Sequence, residues 1–487
     1  MIRTITRVAM GAALVASPLL VVPPLAAQGL DRTVPPTPGP TPSVAMPDVQ
    51  VRTLPNGLTL WVVESSELPT INAVLTFNAG SARDGDLPGL AAMTAELLDD
   101  GAGNRDALQF ARAADLLGIN LGAFASEERV SVSLSTLTRT ADSAFALMGD
   151  LVMRPTFAPE ELERERKSRL QSLRQQQDQA STVATLTFNE LVYGSSHPYG
   201  RPSNGTPEAV GRISRDDIQK YFSTWIRPNN AVLVMVGDVT PDAALALARR
   251  TFSGWEKGPL PEAAKASPTR PEARSATGVY LVDKPGAAQS EIRIGHAGVP
   301  RSSRDYYPLQ VMNALLGGQF TSRINLNLRE DKGYTYGARS AFSYDRGPGP
   351  FVASAGVFTA KTDSSLVEFM KELRDIRASR PATEAEVAFA RGSLVQSYPR
   401  MIETNSGVAS RLAELAFFGL PPAELARYPE AIEAVTTADV ARVAKEYLHP
   451  DNAVIVVVGD LATIRSGIEA LHLGPVTIVP GEEAGTK

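Results

Sequence analysis

Residues 228–238 read Pro-Asn-Asn-Ala-Val-Leu-Val-Met-Val-Gly-Asp, and residues 450–460 read Pro-Asp-Asn-Ala-Val-Ile-Val-Val-Val-Gly-Asp. The offset of 222 residues between Pro228 and Pro450 also maps Ser214, Asp217 and Ile218 onto Thr436, Asp439 and Val440. One copy of such a run could arise by chance; two at constant offset mark a chain built twice on one plan. In each copy Ser214 or Thr436 has the look of a helix N-cap. An amphipathic helix then leads to Trp225 or Tyr447, and a short buried strand ends at Gly-Asp.

Each half also opens with strands. Residues 57–65 and 70–78 read as one antiparallel pair, and 278–283 and 290–296 as another. Long helical stretches follow at 158–180 and 382–400, where Glu, Arg and Gln alternate with Leu, Ala and Val. Strands mixed with helices in this way predict an α+β fold of two homologous repeats, each an antiparallel sheet packed with helices. The expected boundaries are 48–256 for the first repeat and 277–475 for the second. The Pro-, Ala- and charge-rich segment 257–276 would be the linker and 476–487 a tail.

Composition narrows the chemistry. The 487 residues contain no cysteine, which removes disulfides, thiolate catalysis and iron–sulfur clusters. The net charge of −5 offers no basic surface for nucleic acid. Of the four histidines, His197, His296, His449 and His472, no two lie within one helical turn. At the N-terminus Arg3 and Arg7 precede an apolar run from Val8 to Val22, with Ala26-Ala27 beyond it. That order predicts a secretory signal peptide over 1–27, followed by a Pro-rich tether at 28–47 and an exported, periplasmic protein. An uncleaved anchor is the alternative, although the run is short for a membrane span and broken by proline.

Two motifs carry a resemblance. The strand end Gly80-Ser81-Ala82-Arg83 precedes a helix reading Gly89-Leu90-Ala91-Ala92-Met93-Thr94-Ala95-Glu96. Residues 316–336 read Leu-Gly-Gly-Gln-Phe-Thr-Ser-Arg-Ile-Asn-Leu-Asn-Leu-Arg-Glu-Asp-Lys-Gly-Tyr-Thr-Tyr. From about residue 47 to 475 the chain resembles the insulinase/pitrilysin metallopeptidase family, in particular its mitochondrial-processing-peptidase-like branch of two-repeat subunits. In that family His-x-x-Glu-His and a later glutamate hold zinc, and the internal glutamate acts as general base. The resemblance puts Ala92 and Glu96 at the histidine positions, Ala95 at the base and Ser172 at the late glutamate, while Glu165 retains a neighbouring family glutamate. A lone Glu96 cannot hold catalytic zinc, so no cofactor is expected in this chain. Glu96, Glu127 and Glu128 are a conceivable alternative metal set, with solvated surface carboxylates as the plainer reading.

The second motif implies more. In the family an arginine and a tyrosine seven residues later contact the substrate carbonyl and stabilise the oxyanion, and Arg329 and Tyr336 hold that spacing. A structural ion pair for Arg329 and a core position for Tyr336 are the alternatives. The resemblance implies a non-zinc subunit that closes a clamshell chamber with a zinc-bearing paralogue. It would bind unfolded peptide along an edge strand near 123–134 and supply Arg329 and Tyr336 to the partner's site. An inert scaffold or peptide-binding protein of the same fold, or a homodimeric peptide chaperone, are the competing expectations. His197, in Ser-His-Pro-Tyr-Gly-Arg-Pro, is expected to cap a loop, and Gly317-Gly318 to form a tight turn.

Overall fold

The computed structural model describes residues 46–264 and 266–480. The signal-peptide expectation at 1–27 and nearly all of the tether at 28–47 lie outside the described residues. Among the described residues no helix is long and apolar enough to cross a membrane.

The first repeat forms a six-stranded sheet from β1 (Gln50–Thr53), β2 (Thr59–Glu64), β3 (Thr70–Phe77), β6 (Asn120–Ala125), β7 (Val130–Leu137) and β8 (Ala231–Gly237), in the order β1-β2-β8-β3-β7-β6. A small ribbon of β4 (Gly101–Ala102) and β5 (Arg105–Asp106) stands apart. The second repeat uses β9 (Gly278–Asp283), β10 (Gln289–Ala297), β11 (Thr335–Phe342), β12 (Pro350–Phe358), β13 (Val454–Gly459) and β14 (Val476–Val479). In its order, β14-β9-β13-β10-β12-β11, the last five strands repeat β2-β8-β3-β7-β6, while edge strand β14 lies parallel to β9 where β1 lies antiparallel to β2.

Two expectations about pairing change. The strands read as hairpins do not pair with each other: β8 lies between β2 and β3, and β13 between β9 and β10. The sheets are therefore mixed, with β2–β8 and β9–β13 parallel, rather than wholly antiparallel. The reason is visible in the repeated run itself. Val-Leu-Val-Met-Val and Val-Ile-Val-Val-Val are apolar on both faces, and such strands are stable only where both faces are covered, at a sheet's centre. Residues 476–479, assigned to a tail, form edge strand β14 parallel to β9.

What covers the outer faces ties the repeats together. Leu233 and Met235 of β8 point into the first repeat's own core, whereas Val234 and Val236 pack against Val408, Leu412 and Tyr398 of the second repeat. Reciprocally, Val454, Val456 and Val458 of β13 pack against Val183, Ala184 and Phe188 of the first repeat. Each repeat thus lends a helix to the other's sheet. Between them, residues 257–277 contain only the short turn Glu262–Ala264 among those described.

Candidate functional site

Helix α1 (Leu90–Glu96) carries the positions where the resemblance expects zinc ligands. It starts at Gly89, which adopts φ 95° and lies so close to Gly205 that a Cβ would fall 2.9 Å from the Gly205 Cα. The Asp84 carboxylate caps this start, accepting from the Gly89 and Ala91 amides at 2.8 Å each. Leu90 to Ala95 are all buried, so Ala92 and Ala95 present methyl groups to the interior.

Helices α2 (Ala107–Leu117) and α3 (Ala141–Met153) follow, and then α4 (Pro159–Gln177), which supplies what α1 lacks. Its Arg169, only 8% exposed, forms an ion pair with Glu96 and donates to the Asn204 side-chain oxygen at 3.1 Å. One turn earlier, Glu165 is pushed up to about 7 by burial and by its hydrogen bond to Glu96 and repulsion from that carboxylate. Ser172 is exposed, and lines a cleft of about 400 Å3 with Gln175, Gln176, Gln179 and Asn204. A cation is therefore present, but it is a guanidinium.

The residues do not fit zinc. Catalytic zinc needs three protein ligands around an open position. Two alanines, an exposed serine and a glutamate already paired with arginine do not provide them. Among the described residues no group of three or more His, Asp or Glu side chains could hold a metal ion. Glu128 corrects the surface reading: it is buried, accepting from the Tyr199 hydroxyl at 2.8 Å and the Arg346 amide at 2.7 Å. Glu127 is exposed, as expected.

Arg329 and Tyr336 both lie in the second repeat, where Arg329 alone of the two lines a different cleft. Residues Ala314–Gly318 and Leu326–Asp331 both adopt π-helical turns, the second carrying Arg329. Such turns are rare, cost regular hydrogen bonding, and recur at functional sites. The Gly317-Gly318 pair ends the first of these turns, and Gly317 lies so close to β11 that a Cβ would meet the Ser340 amide at 2.4 Å. Arg329 sits over the Phe320 ring, 4.6 Å from its centroid, with Glu330 at 3.1 Å. It borders a cleft of about 480 Å3 floored by Gly317, Gly318, Gly337 and Gly356. Tyr336 is not a core residue: it is 76% exposed and meets Phe358 edge-on at 5.9 Å.

One element joins the two clefts. Helix α5 (Ala180–Tyr193) places Thr182 on the wall of the Ser172 cleft and Ser181 on that of the Arg329 cleft. Arg293 of β10 holds it there, donating to the Ser181 carbonyl at 3.1 Å and the Thr185 hydroxyl at 3.2 Å. Sequence reasoning passed over Arg169 and Arg293 because each acts through a partner distant in the chain.

The edge-strand expectation also shifts. The edge is β6 at 120–125, beside α1 and with Phe124 exposed, whereas 130–134 belongs to β7, between β6 and β3. His197 caps its loop as expected: Nδ1 accepts from the Tyr199 amide at 3.1 Å and Nε2 bonds the Thr269 carbonyl at 2.9 Å.

Residues 61–201 match the profile described as Insulinase (Peptidase family M16), and residues 212–394 the one described as Peptidase M16 inactive domain. The chain belongs to the insulinase family. An uncharacterized zinc protease of Mycobacterium leprae is 27% identical over 369 residues, 74% of this chain and 80% of that protein. A non-peptidase homolog of Helicobacter pylori is 25% identical, covering 70% of this chain and 78% of its own length. Among solved structures, the peptidase M16 inactive domain from Pseudomonas fluorescens matches with a TM-score of 0.79 and 26% identity, over 85% of this chain and 98% of that one.

Proposed function

We propose that this chain is the non-zinc subunit of an exported, periplasmic zinc endopeptidase, working as a heterodimer with a zinc-bearing paralogue. It closes a clamshell chamber, binds unfolded peptide along β6, and presents Arg329 and Tyr336 to the partner's active site. The observation that carries the reading is a contrast within one molecule. At the ligand positions Glu96 is held by Arg169, while Arg329 remains exposed at a glycine-floored cleft and Tyr336 remains exposed on β11. A guanidinium supplies fixed, permanently charged donors, and a phenol one donor that strengthens as charge develops on a substrate oxygen.

The test is co-purification of the mature chain from its native periplasm, followed by peptide cleavage and zinc analysis of the complex. A zinc-bearing relative should be recovered, and Arg329→Ala should lower kcat by about 100-fold with the complex intact. Zinc-independent cleavage by the purified chain, or full activity of the variant complex, overturns the proposal. An inert scaffold or peptide-binding role is the second reading, favoured by the pairing of Arg329 with Glu330. Recovery of the chain alone, without activity, selects it.

A further inference from the structure

A third cavity, of about 270 Å3, lies where α5, the linker and the second sheet meet. Its body is apolar: Val192 of α5, Ala297 of β10 and Val454 of β13 line it. Two imidazoles stand beside these side chains, with ring centroids 5.0 Å apart. His296 is fully engaged, its Nδ1 toward the Ala297 carbonyl at 3.1 Å and its Nε2 accepting the His449 amide at 3.1 Å. The His449 ring has no hydrogen-bond partner among the described residues, although its backbone is pinned on both sides.

Two arginines of the linker, Arg270 and Arg274, also line the cavity. Arg270 donates to the Gly298 carbonyl, and Arg274 donates to the Tyr280 hydroxyl at 2.7 Å while lying over that ring. Neither has a carboxylate partner among the described residues, so both keep donors free. Glu272 is the one acidic residue lining the cavity. Burial first, then the charges of Arg377 and Arg270, lower the proton affinity of His449. An apolar body beside two arginines that each keep N–H donors unused matches a ligand with one anionic end and one apolar end, and the planar fork favours carboxylate. The volume suits only a small molecule or a single residue.

We infer that this cavity binds a carboxylate borne on a short apolar group, with Arg270 and Arg274 holding the carboxylate and Val192, Ala297 and Val454 the apolar part. The site shares no lining residue with the Arg329 cleft and does not depend on the peptidase reading. A free carboxylic acid and the C-terminus of a peptide share this chemistry.

The test is isothermal titration of the purified mature chain with 4-methylpentanoate and with N-acetyl-leucine, each beside its carboxamide. At least one acid should bind saturably, its amide about tenfold or more weaker. The Arg270→Ala, Arg274→Ala double variant should lose binding to a similar degree with its unliganded melting midpoint unchanged. Binding of N-acetyl-leucine alone assigns the site to peptide C-termini, of 4-methylpentanoate alone to free acids, and of both to the shared group. No saturable binding of either acid, amides that bind as well as acids, or undiminished binding by the double variant each overturns the inference.

Discussion

Glu96 and Arg169 pair where the resemblance expects zinc ligands. An isolated pair of carboxylates, Glu96 and Glu165, would repel at this helix junction, and Arg169 neutralises them from a nearly buried position. Removing one member of a buried pair leaves the other uncompensated, the costlier way to break it. Arg169→Ala should therefore destabilise the chain by about 2 kcal/mol, discounted because Glu96 is partly exposed. Urea unfolding at pH 7.5 checks this. Glu165→Gln, which removes the repulsion, should raise the midpoint when measured the same way. At pH 4, where Glu165 is protonated, the gain should vanish.

The capped helices test the repeat at the scale of an element. Ser214 accepts from the Asp217 amide while Asp217 accepts from the Ser214 amide, and Thr436 with Asp439 does the same in the second copy. These reciprocal bonds satisfy two of the amides that every helix start leaves open. They also hold Asp217 and Asp439 below the usual carboxylate range. Ser214→Ala and Thr436→Ala should each cost about 1 kcal/mol, and the double variant about the sum, because the sites share no partner. Denaturant melts of the three variants measure this; a double variant no weaker than the singles would contradict independent caps.

Across the whole molecule the exchanged helices matter most. Leu412 from the second repeat is fully buried in the cluster against the first sheet, and Phe188 from the first repeat against the second. Leu412→Ala or Phe188→Ala should cost about 2–5 kcal/mol and, if the repeats unfold as one, keep a single transition by calorimetry and circular dichroism. A second contact between repeats responds to pH. Asp345, half-buried near Glu128 and Glu127 with Arg129 as the opposing charge, is pushed up to about 7 from an ordinary 3.8, chiefly by desolvation. The folded chain then binds that proton more tightly than the unfolded one, so stability from this group is full below about pH 4 and is lost as pH rises through 7. Asp345→Asn should be more stable than the parent by about 2–4 kcal/mol at pH 8, the difference closing below pH 4 in melts across that range.

Repetition, periodicity and capping are local properties, so the two-repeat α+β plan, the N-caps at Ser214 and Thr436 and the loop role of His197 could be read from the chain alone. So could the absence of zinc ligands at Ala92, Ala95 and Ser172, because a residue type limits its own chemistry wherever it lies. Strand order was not local. Which strand sits beside β2 depends on burying the apolar run of β8, distant in the chain, and the short connection from β2 to β3 suggested the wrong neighbour. The partners of Glu96, the burial of Glu128, the exposure of Tyr336 and the meeting of His449 with the linker arginines all join segments distant in sequence. Only the tertiary structure decided those, because desolvation and pairing are set by what the fold brings alongside a side chain, not by the residues that flank it.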